Sequence, residues 1–251
     1  MSSAIKNPIH AVECDAFVEP ASTLLPGEIS GLVTLLHRVP EDAKATVFPE
    51  VTGHHRIMLV LEGAGTLRSD AWEQHVEGLS VAIPRLDAPL SAVPSPGSLL
   101  TILELRWAMV PGDAGSLARA HAQLPYFLPY AAARPYSEAI KSAQTVSRAL
   151  VPTGIVPRFA AGSVETRGPD AVGEHAHPML EQLFLGLPGN DCTVTADGQS
   201  HRLGACTLLH IPLGSVHGVR VADGAALHYI WLDFFRDAAG EAWIADMHRD
   251  L

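Results

Sequence analysis

Nineteen prolines and 21 glycines cut the apolar residues of this chain into short runs rich in β-branched and aromatic side chains. That rhythm suits strands, which need about four to eight residues between turn formers, and not helices, which need about ten or more at a 3.6-residue period. HRIMLVLEG (55–63), LSVAIP (79–84), SLLTILELRWAMV (98–110), EQLFLGL (181–187), CTLLHIP (206–212) and ALHYIWLDFF (226–235) read as strands. Helical periodicity is confined to 112–124, 136–150 and 241–251, so an all-β fold with a few peripheral helices is expected.

The rhythm also repeats. Gly63 to Gly78 and Gly189 to Gly204 are the same step of 15 residues, and each is followed by a strand ending in Ile-Pro, at Pro84 and Pro212. A duplicated β-domain follows, with a boundary between about 112 and 145 and the halves taken as 1–125 and 126–251.

Composition narrows the function. At 47% apolar and 18% charged residues, with no run of about 18 to 20 apolar residues, a soluble protein without a membrane span is expected. A net charge of -10 disfavours nucleic acid as a partner. The N-terminal stretch MSSAIKNPIHAVECDAFVEP lacks the basic start and apolar core of a secretion signal, and Cys14, Cys192 and Cys206 form no CxxC pair. A cytoplasmic location is the resulting expectation.

One stretch carries chemistry. GEHAHPMLEQLFLGLPG (173–189) places His175, His177 and Glu181 at even separations, so on a continuous strand they would share a face, with Leu183 and Leu185 extending it; Glu174 and Gln182 would face away. In HIPLGSVHGVRV, Pro212 ends a strand, Gly214 permits a tight turn and His217 opens the next strand, where it can face the trio. Three imidazoles and a carboxylate suit one divalent first-row ion, Mn, Fe, Ni, Cu or Zn, and are too nitrogen-rich for Ca or Mg. Thirteen histidines make a chance HxH expected about once per chain, but the added Glu and PxGxxH lower coincidence to roughly one in a thousand.

These residues resemble the two motifs of the cupin superfamily, G(X)5HXH(X)3,4E(X)6G and G(X)5PXG(X)2H(X)3N. His175, His177, Glu181, Pro212, Gly214 and His217 match, while Gly168, Gly189 and Gly204 are displaced by one or two residues and Val221 replaces the final Asn. The resemblance implies two tandem antiparallel jelly-roll barrels, a bicupin, with one metal held by His175, His177, Glu181 and His217. In the first half the equivalent positions are Glu50, Thr52 and Arg56, with Pro89 in place of His217, so that barrel is expected to lack the metal set. His54 and His55 of GHHR, on opposite faces of any strand, are read as a surface or turn feature.

An empty first barrel beside a loaded second one is similar to the ureidoglycine aminohydrolase and glyoxylate-induced group of bicupins. The expectation is a metal-dependent enzyme acting on a small polar metabolite by hydrolysis, isomerisation or lyase chemistry, with manganese or iron ahead of nickel, copper and zinc. A cupin dioxygenase and a non-catalytic metal-dependent binding or sensing protein are the alternatives. Glu181 is a candidate base as well as a ligand, and Arg158 and Tyr229, on expected barrel strands, are candidates to meet a substrate carboxylate or carbonyl. His201, His210 and His228 are expected to be structural. A homodimer is the expected assembly, with a small-molecule substrate as the only other partner.

Overall fold

A computed structural model describes residues 9–69, 72–86, 88–137 and 141–247. The chain divides into two compact units, one comprising Asp15–Ala133 with Gly154–Pro157, the other comprising the described residues up to Cys14, Arg134–Thr153 and the remainder from Arg158. Strand Tyr126–Pro129 pairs with Ser80–Ile83 and belongs to the first unit, whereas His10–Glu13 pairs with Thr207–Ile211 in the second.

In the first unit a six-stranded sheet runs in the order Tyr126–Pro129, Ser80–Ile83, His54–Glu62, Leu100–Ala108, Leu32–Val39, Ala21–Leu24. A four-stranded sheet of Thr46–Phe48, Leu90–Pro94, Ala64–Ser69 and Trp72–Glu77 faces it across a core drawn from both, including Phe48, Met58, Leu67 and Ile102. The second unit repeats this plan. Its seven-stranded sheet has the order His10–Glu13, Thr207–Ile211, Leu180–Gly186, Ala226–Phe235, Phe159–Arg167, Val146–Val156, Pro135–Tyr136. Asp170–His175, His217–Val221, Asp191–Ala196 and Gln199–Gly204 make the four-stranded partner, and Val164, Phe184, Val194 and Val219 lie in the shared core. The paired strands run antiparallel, and the central strand orders of the two units correspond one for one. The architecture is thus all-β, two antiparallel jelly rolls in tandem.

Local chemistry accounts for the hairpins. Asp197 and Gly198, at φ 50° and 79°, form the two-residue Asp-Gly turn that joins Asp191–Ala196 to Gln199–Gly204, a turn type needing positive φ at both positions. Close approach explains Gly186, where a Cβ would sit 2.0 Å from the Gly204 carbonyl oxygen. Gly186→Ala is expected to lower stability by about 1–3 kcal/mol through overpacking, read from the midpoint of denaturant unfolding. An unmoved midpoint would contradict this packing.

Helix Ala114–Ala122 lies within the expected 112–124, and helix Ala238–Met247 covers the described part of the C-terminal one, 248–251 lying outside the described residues. The expected helix over 136–150 is absent among the described residues, 138–140 lying outside them: Pro135–Tyr136 and Val146–Val156 are strands. Pairing with Phe159–Arg167 overrides a weak helical period there, as tertiary context commonly does. The GHHR segment also differs from expectation, since His54 begins a strand and His55 and Arg56 are buried within it. Gly53, exposed at φ 74°, stands in the turn before the strand, so the turn reading holds for that residue and not for His55 and Arg56. No described helix is long and apolar enough to cross a membrane.

Candidate metal centre

Strand Asp170–His175 ends at its histidine, and residues 176–179 turn through Pro178 and Met179 before Leu180–Gly186 begins. Across the four-stranded sheet His175 is paired with His217, following a register irregularity after Val172. The Pro212–Ser215 turn is closed by the Ser215 N–H donating to the Pro212 carbonyl at 3.1 Å, with Gly214 at φ 69°. The Gly214 N–H donates to the His177 carbonyl at 3.2 Å, so the two motifs are tied together by backbone.

The result is a cluster of three imidazoles. The ligating atoms of His175, His177 and His217 lie within 4.8 Å of one another, the one such group among the described residues. Ring centroids are 4.8 Å apart for His175 and His177, 4.5 Å for His175 and His217, and 5.5 Å for His177 and His217. Two nitrogens each about 2.1 Å from one ion are at most about 4.2 Å apart, so closure on a metal needs only side-chain adjustment.

Backbone carbonyls set the tautomers. His175 Nδ1–H donates to the Gly173 carbonyl at 2.8 Å and His217 Nδ1–H donates to the Ser215 carbonyl at 3.0 Å. A carbonyl only accepts, so the proton sits on Nδ1 and the Nε2 lone pair is left for a ligand. The Nε2 of His217 is buried without a hydrogen-bond partner, a cost that a bound cation would remove. Burial, reinforced by the neighbouring His175 and opposed by the bond to Ser215, pushes the His217 imidazole down to about 4. It is therefore neutral near pH 7, the form that binds metal. Phe184, with its ring 5.9 Å from His217 and 4.7 Å from Tyr229, floors the site with apolar surface.

Three of the four expected ligands come together; Glu181 is not among them. Its carboxylate lies 3.6 Å from His210 Nε2. Glu181 shares a face with Leu183 and Leu185, whereas Phe184, Leu209 and Ile211 belong to the core cluster on the other side of the sheet. The turn at 176–179 breaks the alternation, so counting by two from His177 lands on the wrong face. Gln182 faces inward instead, contrary to the parity expectation, two residues from Phe184 on the same side. It is buried, its Nε2 donates to Asp233 Oδ1 at 2.8 Å, and its Oε1 is buried without a hydrogen-bond partner. The motif's alternative spacing of four residues between the second histidine and the acid falls on Gln182, a signal already in the sequence.

Arg158 is buried at the turn before Phe159–Arg167, with φ 57°. Its backbone N–H donates to Glu241 at 2.9 Å and its guanidinium to the Phe235 carbonyl at 3.3 Å, so it braces the hairpin against the C-terminal helix. Tyr229 is buried in the core beneath the cluster, against Phe184. His228 stands 3.7 Å from Glu165, on the face of its strand opposite Tyr229. In the first unit Glu50 and Thr52 are exposed and Arg56 is buried.

No family model and no curated protein matches this chain. Solved structures do. A cupin 2 conserved barrel domain protein from Leptotrichia buccalis aligns with a TM-score of 0.63 at 12% identity, covering 90% of this chain and 96% of its own. A protein described as glyoxylate-induced from Pseudomonas aeruginosa gives 0.69 at 9%, covering 92% and 90%. A point variant of salicylate 1,2-dioxygenase from Pseudoaminobacter salicylatoxidans gives 0.67 at 9%, covering 98% and 89%. At these identities the likeness bears on the fold, which is that of cupin-barrel proteins.

Proposed function

We propose that the second unit is a mononuclear metal centre of a bicupin enzyme acting on a small, oxygen-rich, anionic metabolite. The observation that carries it is the three-histidine cluster with the buried, orphaned Nε2 of His217 and, facing the same interior from the other sheet, the orphaned Oε1 of Gln182. His175, His177 and His217 would hold the ion, and an all-nitrogen set suits iron, nickel, copper or zinc, with manganese a candidate where substrate or water oxygens fill the open positions. The bound ion would supply Lewis acidity to a substrate oxygen, and a redox-active one would add O2 chemistry. Because imidazoles ligate a metal as neutral groups and would leave a divalent ion's charge uncompensated, an anionic substrate is favoured to complete the charge. The donors to Gly173 and Ser215 hold two of the rings in place, and Phe184 and Tyr229 exclude water from below.

A specific observation favours the dioxygenase reading over hydrolysis. Hydrolysis assisted by a side-chain base requires a proton acceptor beside the reacting atom, yet Glu181 faces His210 and Gln182 cannot take a proton, which leaves a hydrolytic route only the metal-bound water itself. Asp233, the inward-facing partner of Gln182, is already engaged by its Nε2. Salicylate 1,2-dioxygenase among the structural neighbours is consistent with this reading. Purified protein reconstituted with Fe(II) or Mn(II) is expected to consume O2 with a hydroxy-acid or β-diketone panel. Ammonia release from ureido compounds without O2 uptake would return the hydrolytic reading, and stoichiometric metal with turnover of neither class would leave a binding or sensing role.

A further inference from the structure

We propose that the first unit, which lacks the histidine cluster, carries a binding site for a small carboxylate anion at Arg56. On strand His54–Glu62, Met58 and Val60 point into the core, which places His54 and Arg56 on the same inward face where the strand begins. On the adjacent strand Leu100–Ala108, Glu104 and Arg106 continue the inward row of Leu100 and Ile102, and Arg106 lies directly across from Arg56. These charged side chains therefore close one end of the core. The corresponding end of the second unit carries Gln182, Asp233 and the three histidines, so a fixed guanidinium stands here where the other unit can take up an exchangeable cation.

Arg56 is committed on two of its three nitrogens. Its Nε donates to Glu104 Oε1 at 2.8 Å and its Nη2 to the Pro49 carbonyl. Nη1 has no hydrogen bond among the described residues, although the side chain is only 6% exposed. Glu104 cannot neutralise the group, because the same carboxylate also receives Arg106, at 2.9 and 3.0 Å, and His37 at 2.7 Å. One negative charge thus serves two guanidiniums, which leaves a surplus positive charge at a buried place where such a charge is costly unless paired.

A shallow cleft open to solvent lies at this point, lined by Arg56, Arg85 and His54 with Val51, Pro84 and Leu86 among its apolar walls. Arg85 is exposed and has no ion pair among the described residues, and His54 Nδ1–H is turned to the Thr52 carbonyl at 3.0 Å. No described carboxylate lines the cleft. Two guanidiniums over a short apolar floor are the recognition chemistry of a carboxylate with a small aliphatic body. The cleft has room for about one water-sized group, which suits a carboxylate oxygen while the short body of the acid stays at the surface.

The site is tested by isothermal titration of the full chain with acetate, pyruvate and succinate at constant ionic strength, with chloride and phosphate as controls. Saturable binding of at least one carboxylate is expected in the wild-type protein and unchanged in His217→Ala, which separates this site from the histidine cluster. Arg85→Ala, at an exposed position, is expected to weaken it at least tenfold, and Arg56→Lys to do the same. Binding that survives both arginine substitutions, vanishes in His217→Ala, or is matched by chloride at equal ionic strength would overturn the proposal. So would no saturation by any of the three acids.

Discussion

Protein carrying His217→Ala will not retain a metal ion through gel filtration, whereas the wild-type chain reconstituted under the same conditions will hold one per chain. His217 contributes a buried, unpartnered Nε2 whose tautomer is fixed by the Ser215 carbonyl, so its removal deletes a prepared ligand. Loss of an outer-shell partner alone costs about 10–100-fold in metal affinity, and loss of a direct ligand should exceed that. His177→Ala is expected to behave in the same way. Two controls isolate the cluster. Glu181→Gln should leave stoichiometry unchanged because that carboxylate faces His210, and His55→Ala in the other unit should also leave it unchanged. A Glu181→Gln protein that loses its metal would place the carboxylate in the coordination sphere after all.

The second large effect belongs to the first unit. Glu104→Gln will strip the carboxylate shared by Arg56, Arg106 and His37 and leave the two guanidiniums facing each other, Arg56 at a buried position. Breaking a buried ion pair from one side costs about 3–5 kcal/mol. At about 2–4 °C per kcal/mol, the thermal midpoint of that unit should fall on the order of 10 °C. The same group predicts acid sensitivity. Burial alone would raise the Glu104 carboxyl, but hydrogen bonds from His37 and Arg106 and the charges of Arg56 and Arg106 outweigh it and hold it at about 2, against 4.5 ordinarily. A carboxylate lowered on folding stabilises the folded state above its unfolded pKa, so this contribution is complete above about pH 4.5 and fades as pH falls toward 2. The wild-type midpoint should therefore decline across that window and the Glu104→Gln midpoint should decline less. Parallel declines would show that Glu104 is not the group responsible.

The fold was largely legible because its signals are local. ALHYIWLDFF is strand over its full span, and the other apolar runs lie within a residue or two of the strands they mark. Segment 136–150 was not legible, since only its pairing with Phe159–Arg167 decides between helix and strand. In the site, the histidines were readable because HxH and PxGxxH are each held together by short backbone connections. Glu181 and Gln182 were not distinguishable by alternation, because alternation holds only along an unbroken strand and the turn at Pro178 and Met179 resets it. Arg56 was aligned with a ligand position and set aside for lacking ligand chemistry; its burial against Glu104 needs the strand Leu100–Ala108 beside it, which no local pattern discloses.

The most direct test of the metal centre is a crystal of the reconstituted protein with data collected on either side of the metal's absorption edge. One anomalous peak per chain is expected, about 2.0–2.2 Å from a ring nitrogen of each of His175, His177 and His217, with Glu181 still turned toward His210. A peak elsewhere, or none in protein that carries stoichiometric metal in solution, would contradict the assignment of these three histidines as its ligands.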